Sequence, residues 1–548
     1  MANVLGVNAV FHDPSAALVV DGRVVAAAEE ERFSRRKHGK RPVPFSAWEL
    51  PDQAMRWCLA QAGVEVGDLD AVAYSYDPAR MPPPTGDPTR HHWEELRTLY
   101  ADRVPHFLRT ALGVDAPVPV TFVPHHEAHA ASAFHAAGWD HCAVLVVDGR
   151  GETTSSLSGW VQDGEIKTLA ASPLPHSLGL LYEELTEHLG FLRSSDEYKV
   201  MALASYGEPR HLDQMRRLVR FDGEGGFVTD MPDWRRLSSS VGEGDSIDPR
   251  AAALARSIQA RLEEVLLEAA GWLHETTGED RLAMAGGVAL NCVANTHLYS
   301  HGPFRDIYVQ PAAGDAGTSL GAAYLVAHRL GDDISPMETA ALGRSYTEEE
   351  IRAVLDDADI AYQRPASIAD AVGEIVAEDG IVGWFQGAAE FGPRALGHRS
   401  FLAHPGREEN TERMNRVKGR EQFRPIAPLV TVERAAEIFT TGPIPSPYML
   451  FTHTVDPEWR ERIPAVVHVD GTARIQTVDA AAEPLLHRCL EVFEAKTGLP
   501  VMINTSFNTA GRPMVDHPRQ ALECLAASPL VAVALGPYLV RRLDLFGS

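Results

Sequence analysis

His125 and His129 lie four residues apart, at the head of an alanine-rich run, Ala130 to Ala137, that favours helix. On a helix this spacing puts both imidazoles on one face, one turn apart, which suits a metal-binding pair. Soon after comes Cys142 to Val147, a short, continuous, β-branched run that reads as a buried strand and ends in Asp148-Gly149-Arg150-Gly151-Glu152. Ligands of parallel α/β sheets collect beyond the carboxyl ends of strands, so Asp148 stands where a third metal ligand is useful. Two imidazoles and a carboxylate suit Fe, Zn or Mn better than an all-oxygen Mg site. Taken alone, the same residues read equally as two surface histidines and a strand-end turn.

Two strand-to-glycine junctions follow. Leu282 to Ala285 reads as a strand, with Gly286-Gly287-Val288-Ala289-Leu290-Asn291 opening a helix behind it. Ile307 to Gln310 reads as another, followed by Gly314-Asp315-Ala316-Gly317 and a helix to about Leu330. Glycines at such junctions let backbone N–H groups approach a phosphate or ribose at a positive helix end. Asp315 is either a fourth metal ligand or the N-cap of its helix. A second chemical cluster runs from Glu390 to Arg424, with eight Lys/Arg against five Glu in a protein of net charge -25. Arginine forks bind phosphate and carboxylate oxygens bidentately, so this island points to a small anionic ligand, or else to a salt-bridge patch. Pro500 to Ile503 reads as a strand with amides and hydroxyls beyond its end, Asn504 to Thr509, which supply donors for anion or carbonyl oxygens.

The elements that must hold these groups begin at the N-terminus. Val4 to Val10, Ser15 to Val20 and Arg23 to Ala28 read as strands, the last two joined by a tight turn at Asp21-Gly22. Actin-like and sugar-kinase ATPase domains begin with this pattern. The run Glu29 to Gly39 is dense in both signs of charge, which is commonly a solvated face. Residues 45–63 and 93–112 have helical spacing, with a proline loop at 82–84 between them. A polar stretch over 331–350 reads as a domain link, and 548 residues are too many for one ordinary core.

The acidic balance, 50 basic against 75 acidic residues, repels phosphate backbones and anionic membranes, so neither nucleic acid nor a membrane is expected as a partner. Five scattered cysteines form no disulfide framework and no Cys-x-x-Cys site, which fits a reducing cytoplasm. No signal-peptide pattern and no apolar run of bilayer length is present.

Taken together and in order, Phe11-His12-Asp13, Glu29-Glu30-Glu31-Arg32-Phe33, His125-His126-x-x-His129, Asp148-Gly149-x-Gly151-Glu152, Gly314-Asp315-x-Gly317, Phe391-Gly392-Pro393-Arg394-Ala395-Leu396-Gly397-x-Arg399-Ser400, Phe423-Arg424-Pro425 and Asn504 to Asn508 resemble the ATP-dependent O-carbamoyltransferases. These enzymes act on antibiotics such as tobramycin and on nodulation factors. The resemblance spans residue 4 to about 535. It implies an α/β protein of two domains. Residues 1–345 are then an actin-like (ASKHA) carbamoyl-transfer domain similar to the threonylcarbamoyl transferases, and 346–548 a domain similar to the threonylcarbamoyl-AMP (YrdC-like) synthases. It implies that carbamoyl phosphate and Mg-ATP give carbamoyl-AMP and pyrophosphate in the second domain, and that a small-molecule hydroxyl takes the carbamoyl group in the first.

By the same resemblance His125, His129, Asp148 and Asp315 hold a divalent transition metal, usually Fe(II). Gly286, Gly287, Asn291 and Gly314 line the nucleotide site. Arg394, Lys418 and Ser506 bind carbamoyl phosphate, with Arg399, Arg424, Asn504 and Asn508 as neighbours. His12 is the candidate base for the acceptor, and Lys37 a candidate for binding near the carbonyl. Other acceptors, or a small-molecule kinase of the actin-like class, are the alternatives. Neither the acceptor nor the oligomeric state is legible in the residues.

Overall fold

The computed structural model describes residues 2–40, 49–82, 92–116, 118–237, 247–509 and 511–545. The chain forms two compact units, residues 1–338 and 339–548.

In the first unit, β1 (Asn3–Asn8), β2 (Ser15–Val20) and β3 (Arg23–Glu29) form an antiparallel meander. Asp21 and Gly22 between β2 and β3 both take positive φ, 51° and 74°, as a two-residue hairpin turn requires. On the other side of β1 lie β4 (Ala71–Tyr74) and β5 (Val120–Phe122), both parallel to it, giving the order β3-β2-β1-β4-β5. A second sheet begins with β6 (His141–Val147), β7 (Ser156–Gln162) and β8 (Glu165–Ala170), again an antiparallel meander. After a small hairpin of β9 (Val219–Phe221) and β10 (Phe227–Thr229), β11 (Arg281–Ala285) and β12 (Asp306–Val309) add in parallel beside β6. The order β12-β11-β6-β7-β8 repeats the first sheet, so one plan is used twice.

Two helices lie between these sheets. Ala316–Arg329 packs on β1, β2 and β4, His125–Ala137 packs on β6 and β11, and the two helices pack on each other. Enclosure explains why almost every side chain of His125–Ala137 is buried, histidines included. The alanines let the helices come close, and a Cβ on Gly321 would fall 1.8 Å from the Ala128 carbonyl oxygen.

Several expectations change here. The charge run is a solvated face only in its second half: Glu29, Glu30, Glu31 and Arg32 are buried, while Arg36 and Lys37 are exposed. Glu30 accepts from the backbone N–H groups of Gln53 and Ala54, which fixes the start of helix Asp52–Ala62. Helix does not follow Gly286 directly. A single 3-10 turn, Gly287–Leu290, intervenes, and the helix Cys292–His301 starts behind Asn291, whose side chain caps it. Helical spacing over 45–63 and 93–112 corresponds to helices Asp52–Ala62, His92–Asp102 and Val104–Leu112, while 41–48 and 83–91 lie outside the described residues.

The second unit holds β13 (Val382–Phe385), β14 (Arg399–Ala403), β15 (Ala427–Thr431), β16 (His453–Thr454), β17 (Thr472–Ala473), β18 (Gln476–Val478), β19 (Val501–Ser506), β20 (Ala532–Leu535) and β21 (Tyr538–Arg541). Seven of them form a mixed sheet in the order β18-β15-β19-β14-β13-β20-β21, parallel at β15–β18 and β13–β20 and antiparallel elsewhere. Helices Ile368–Ala377 and Pro484–Thr497 pack together, over a core that includes Trp384, Phe401 and Phe493. Asn504 to Ser506 do not follow β19 but form its last residues, between β14 and β15. All five cysteines are free and buried, and among the described residues no helix is long and apolar enough to cross a membrane.

Candidate active site

The fold brings His125, His129, Asp148 and Asp315 to one point. The histidines occupy the first and fifth positions of their helix, Asp148 follows the end of β6, and Asp315 directly precedes Ala316–Arg329. Asp315 is no side-chain cap: no hydrogen bond of that kind forms at its helix start. His125 Nε2 is 3.4 Å from Asp148 Oδ2 and 3.6 Å from Asp315 Oδ1; His129 Nε2 is 3.7 and 3.6 Å from the same atoms. The four residues are 0, 0, 4 and 1% exposed.

The donor atoms are prepared for a shared positive charge. His125 Nδ1 donates to the Ser75 carbonyl at 3.2 Å, so Nε2 is the nitrogen that takes either a proton or a cation. Gly287 N–H donates to Asp148 Oδ1 at 2.8 Å, leaving Oδ2 turned to the histidines. The Nε2 atoms of His125 and His129 and Oδ2 of Asp315 are buried without a hydrogen-bond partner. Buried polar atoms are almost always satisfied, so three orphans at one point call for an ion. The separations of 3.4 to 3.7 Å between the two Nε2 atoms and the nearest carboxylate oxygens of Asp148 and Asp315 fit one, because the edge of a tetrahedron with metal–ligand bonds near 2.1 Å is about 3.4 Å. Electrostatics agree. Burial opposes a charge on His125, but Asp148 and Asp315 outweigh it and hold its pKa well above 6.5. Burial also opposes ionisation of Asp148, yet His125 and His129 hold its carboxyl well below 3.8.

Sequence reasoning quoted His126 without giving it a role. It sits beside the cluster, with Nε2 4.0 Å from Asp148 Oδ2 and Nδ1 3.0 Å from Thr154 Oγ1. Burial first, and then His125, push its pKa down to about 3, so it is a neutral neighbour.

His12 borders the cluster. Its Nδ1 is 3.0 Å from Asp13 Oδ2 and its Nε2 3.8 Å from Asp315 Oδ2. Burial lowers its pKa, but Asp315 and Asp13 raise it further, to about 10 in the absence of a cation. Lys37 pairs with Glu31 at 3.1 Å. Asp13, Glu31 and His38 form a second group of ligand-type residues, but these are bonded among themselves and to Lys37 and Ser195.

Of the nucleotide-site residues, Gly286 takes φ 92°, and a Cβ there would lie 2.3 Å from the Val147 carbonyl oxygen, so only glycine lets this loop pass the end of β6. Gly287 serves Asp148. Asn291 is occupied as a helix cap and in a reciprocal amide pair with Gln259, at 2.8 and 3.2 Å. Gly314 has room for a side chain, its nearest neighbour being Leu290 at 3.7 Å.

In the second unit, Lys418, Ser506 and Asn508 come together. Lys418 Nζ donates to Ser506 Oγ at 2.8 Å and to Asn508 Oδ1 at 2.5 Å, and Ser506 Oγ donates to Asn508 Oδ1 at 2.8 Å. Arg394 is half-buried in the loop before β14, and Arg424 pairs with Glu421 at 3.5 Å. Arg399 and Asn504 differ from expectation. Arg399 is fully buried, lies over the Phe385 ring at 3.7 Å, and donates to the carbonyls of Gln386, His398, Arg344 and Gly387. Asn504 donates to Gln476 and to the Ala395 carbonyl. Arg399 holds the loop in shape through these carbonyls, and Asn504 does so through Ala395 while its Oδ1 stays buried without a hydrogen-bond partner. Sequence reasoning gave no role to Glu390, which accepts from the N–H groups of Leu396 and Arg399 and so sets the conformation of the Arg394 loop.

Comparison with known proteins gives two family matches. A model described as carbamoyltransferase N-terminus covers residues 3–80 and 108–324, and one described as carbamoyltransferase C-terminus covers 373–542. Nodulation protein NolNO of Sinorhizobium fredii is 36% identical over 98% of this chain and 80% of its own length. An uncharacterised protein of Synechocystis is 34% identical over 99% of this chain and 97% of its own length. Among solved structures, full-length HypF in the phosphate- and nucleotide-bound form is 14% identical, covering 61% of this chain and 56% of its own, with a TM-score of 0.35.

Proposed function

Because this chain belongs to the carbamoyltransferase family, we propose that it carries a carbamoyl group from carbamoyl phosphate, through carbamoyl-AMP, to a hydroxyl of a small-molecule natural product. The observation that carries the reading is the convergence of His125, His129, Asp148 and Asp315, with the Nε2 atoms of both histidines and Oδ2 of Asp315 unpartnered. We read the first unit as an actin-like transfer domain, on its duplicated sheet plan, and the second as a YrdC-like activating domain.

In the second unit water takes the phosphoryl group of carbamoyl phosphate, releasing inorganic phosphate and carbamate, and the carbamate oxygen attacks the α-phosphorus of ATP, with pyrophosphate leaving. Lys418 and Arg394 offset the negative charge on the phosphate oxygens as it grows, and Ser506 and Asn508 hold the Lys418 ammonium in place. In the first unit His125, His129, Asp148 and Asp315 would hold a divalent ion such as Fe(II), which would supply Lewis-acid stabilisation of phosphate charge. Asp13 keeps a proton on His12 Nδ1, which leaves Nε2 as the base for the acceptor hydroxyl. Asp315 and Asp148 both raise the pKa of His12, so a cation held between them would weaken that pull and favour the neutral imidazole.

The test needs no acceptor. The protein is incubated with ATP, carbamoyl phosphate, Mg(II) and Fe(II), and the products are read by mass spectrometry and a phosphate assay. Pyrophosphate and carbamoyl-AMP are expected. Release of ADP instead would overturn this reading in favour of a kinase.

A further inference from the structure

A rim of five charged side chains borders Asp148 and the neighbour of His12, and the reaction above leaves it unused. β6 lies between β11 and β7. Gly286 and Gly287 follow β11 on one side of Asp148, and the loop from Gly149 to Glu152 leads away from it toward β7. Along that loop Arg150 Nη1 is 3.5 Å from Glu94 Oε1, and the other oxygen of Glu94 accepts from Arg97. Arg97 is buried over the ring of Phe11, the residue before His12, at 5.0 Å, and the same ring packs T-shaped on His125 at 5.0 Å. Glu183 Oε2 is 3.0 Å from Arg193 Nε, and a Cβ on Gly149 would lie 3.3 Å from Glu183 Oε1. Arg150 stands in the field of all four others.

Two properties of this rim select a ligand. It is open, with the side chains of Arg150, Glu94 and Arg193 33, 30 and 35% exposed. Among the described residues the Arg150 guanidinium donates no side-chain hydrogen bond, so its N–H groups are unspent. Its charges are also paired. Glu94 lies between Arg97 and Arg150, Glu183 and Glu187 face Arg193, and nearer His12 Asp13 faces His38 while Glu31 faces Lys37. Burial, with Glu183 adding to it, pushes Glu197 up to about 7, so it carries only part of a charge at neutral pH. A polycation therefore meets no uncompensated carboxylate at this rim, although the whole chain carries -25. An apolar macrocycle would strip water from guanidinium and carboxylate groups and return no hydrogen bonds. Vicinal hydroxyls suit both groups: they donate to a carboxylate and accept from a guanidinium fork, and the pairing holds both in place beforehand.

We propose that the Glu94–Arg150 and Glu183–Arg193 pairs form the acceptor subsite, and that the acceptor is an uncharged polyhydroxyl compound of the glycoside or cyclitol class, held by neighbouring hydroxyls. That the bound compound accepts the carbamoyl group rests on the transfer reading above; recognition of uncharged, hydroxyl-rich ligands by the rim does not.

Binding and transfer are measured separately on the full chain. Without ATP, saturation-transfer NMR reads contact with a neutral set (methyl glycosides, neutral oligosaccharides and inositol), with tobramycin, and with a macrolide aglycone. Contact with the neutral set is expected to be strongest. Arg150→Ala should weaken it about 10-fold or more, as for loss of a hydrogen bond to a charged group. Arg193→Ala leaves Glu183 and Glu187 without their cation, so it should weaken the neutral set likewise and gain contact with tobramycin. Loss of structure would not exchange one preference for the other. Stronger wild type contact with tobramycin or the aglycone, contact with none of the three, or contact with the neutral set unchanged in either variant overturns the proposal. For transfer, the same compounds are given with ATP, carbamoyl phosphate, Mg(II) and Fe(II), and carbamoylated products are read by mass spectrometry. A carbamoylated member of the neutral set supports the proposal. Carbamoylated tobramycin or aglycone alone, or pyrophosphate with no carbamoylated compound, overturns it. Absence of pyrophosphate counts against the adenylate reading alone, and the binding measurement then decides the rim.

Discussion

At the scale of single residues, the two units divide the proposed reaction between side chains of opposite kind, carboxylates with imidazoles in one and cations with hydroxyls in the other. This division gives a paired prediction. Asp148→Asn keeps the side-chain shape and the Gly287 contact but removes the charge that faces His125 and His129. Bound Fe(II), measured by metal analysis after dialysis, should fall by more than the roughly 10–100-fold typical of losing an outer partner. Pyrophosphate release should persist. Lys418→Met should do the reverse, lowering pyrophosphate release about 10²–10³-fold at unchanged metal content. Arg399 shows why residue type alone was an insufficient guide. It shares the basic island with Arg394 and Lys418, yet its guanidinium is buried against backbone carbonyls. Arg399→Lys should therefore destabilise the second unit, which denaturant unfolding would report.

Among the elements, the decisive contact is between His125–Ala137 and Ala316–Arg329, since three of the four clustered side chains depend on it. Gly321→Ala places a methyl against the Ala128 carbonyl oxygen and should cost about 1–3 kcal/mol of stability, with a parallel loss of metal occupancy. Gly271→Ala is the control, because that helical glycine has open space around it and should gain about 0.5–1 kcal/mol. The same helix pair carries a pH dependence remote from the cluster. Burial, and then His328, lower the pKa of His135 to about 3. Between 6.5 and 3 the unfolded chain binds a proton there that the folded chain refuses, so this contribution is complete above pH 6.5 and lost as pH falls toward 3. Denaturant midpoints should therefore fall more steeply from pH 6.5 to 4 in wild type than in His135→Leu, which keeps the apolar contacts and cannot titrate. Element types were largely legible in advance. The β2–β3 hairpin and the strand before Asp148 follow from local alternation and turn residues, whose causes lie within a few residues. The helix expected directly after Gly286 was misplaced because Asn291, not a glycine, caps it.

On the scale of the whole molecule, each unit has its own sheets and buried core. Residues 339–548 expressed alone should fold and release pyrophosphate from ATP and carbamoyl phosphate, and residues 1–338 alone should bind Fe(II) but release none. Size-exclusion chromatography with the phosphate assay checks both, and pyrophosphate release from the first unit alone would reverse the assignment. The sequence by itself determined what depends on neighbours along the chain: the imidazole pair one helical turn apart, Asp148 at a strand end, the hairpin, and the order of motifs that marks the family. Only the tertiary structure decided which distant groups meet. It placed Asp315 against His125, turned Arg399 and Asn504 inward to the backbone, and set Arg150 against Glu94. Local periodicity sets which face a residue lies on, but the register of one element packed against another sets what that face touches, and no short-range pattern encodes it.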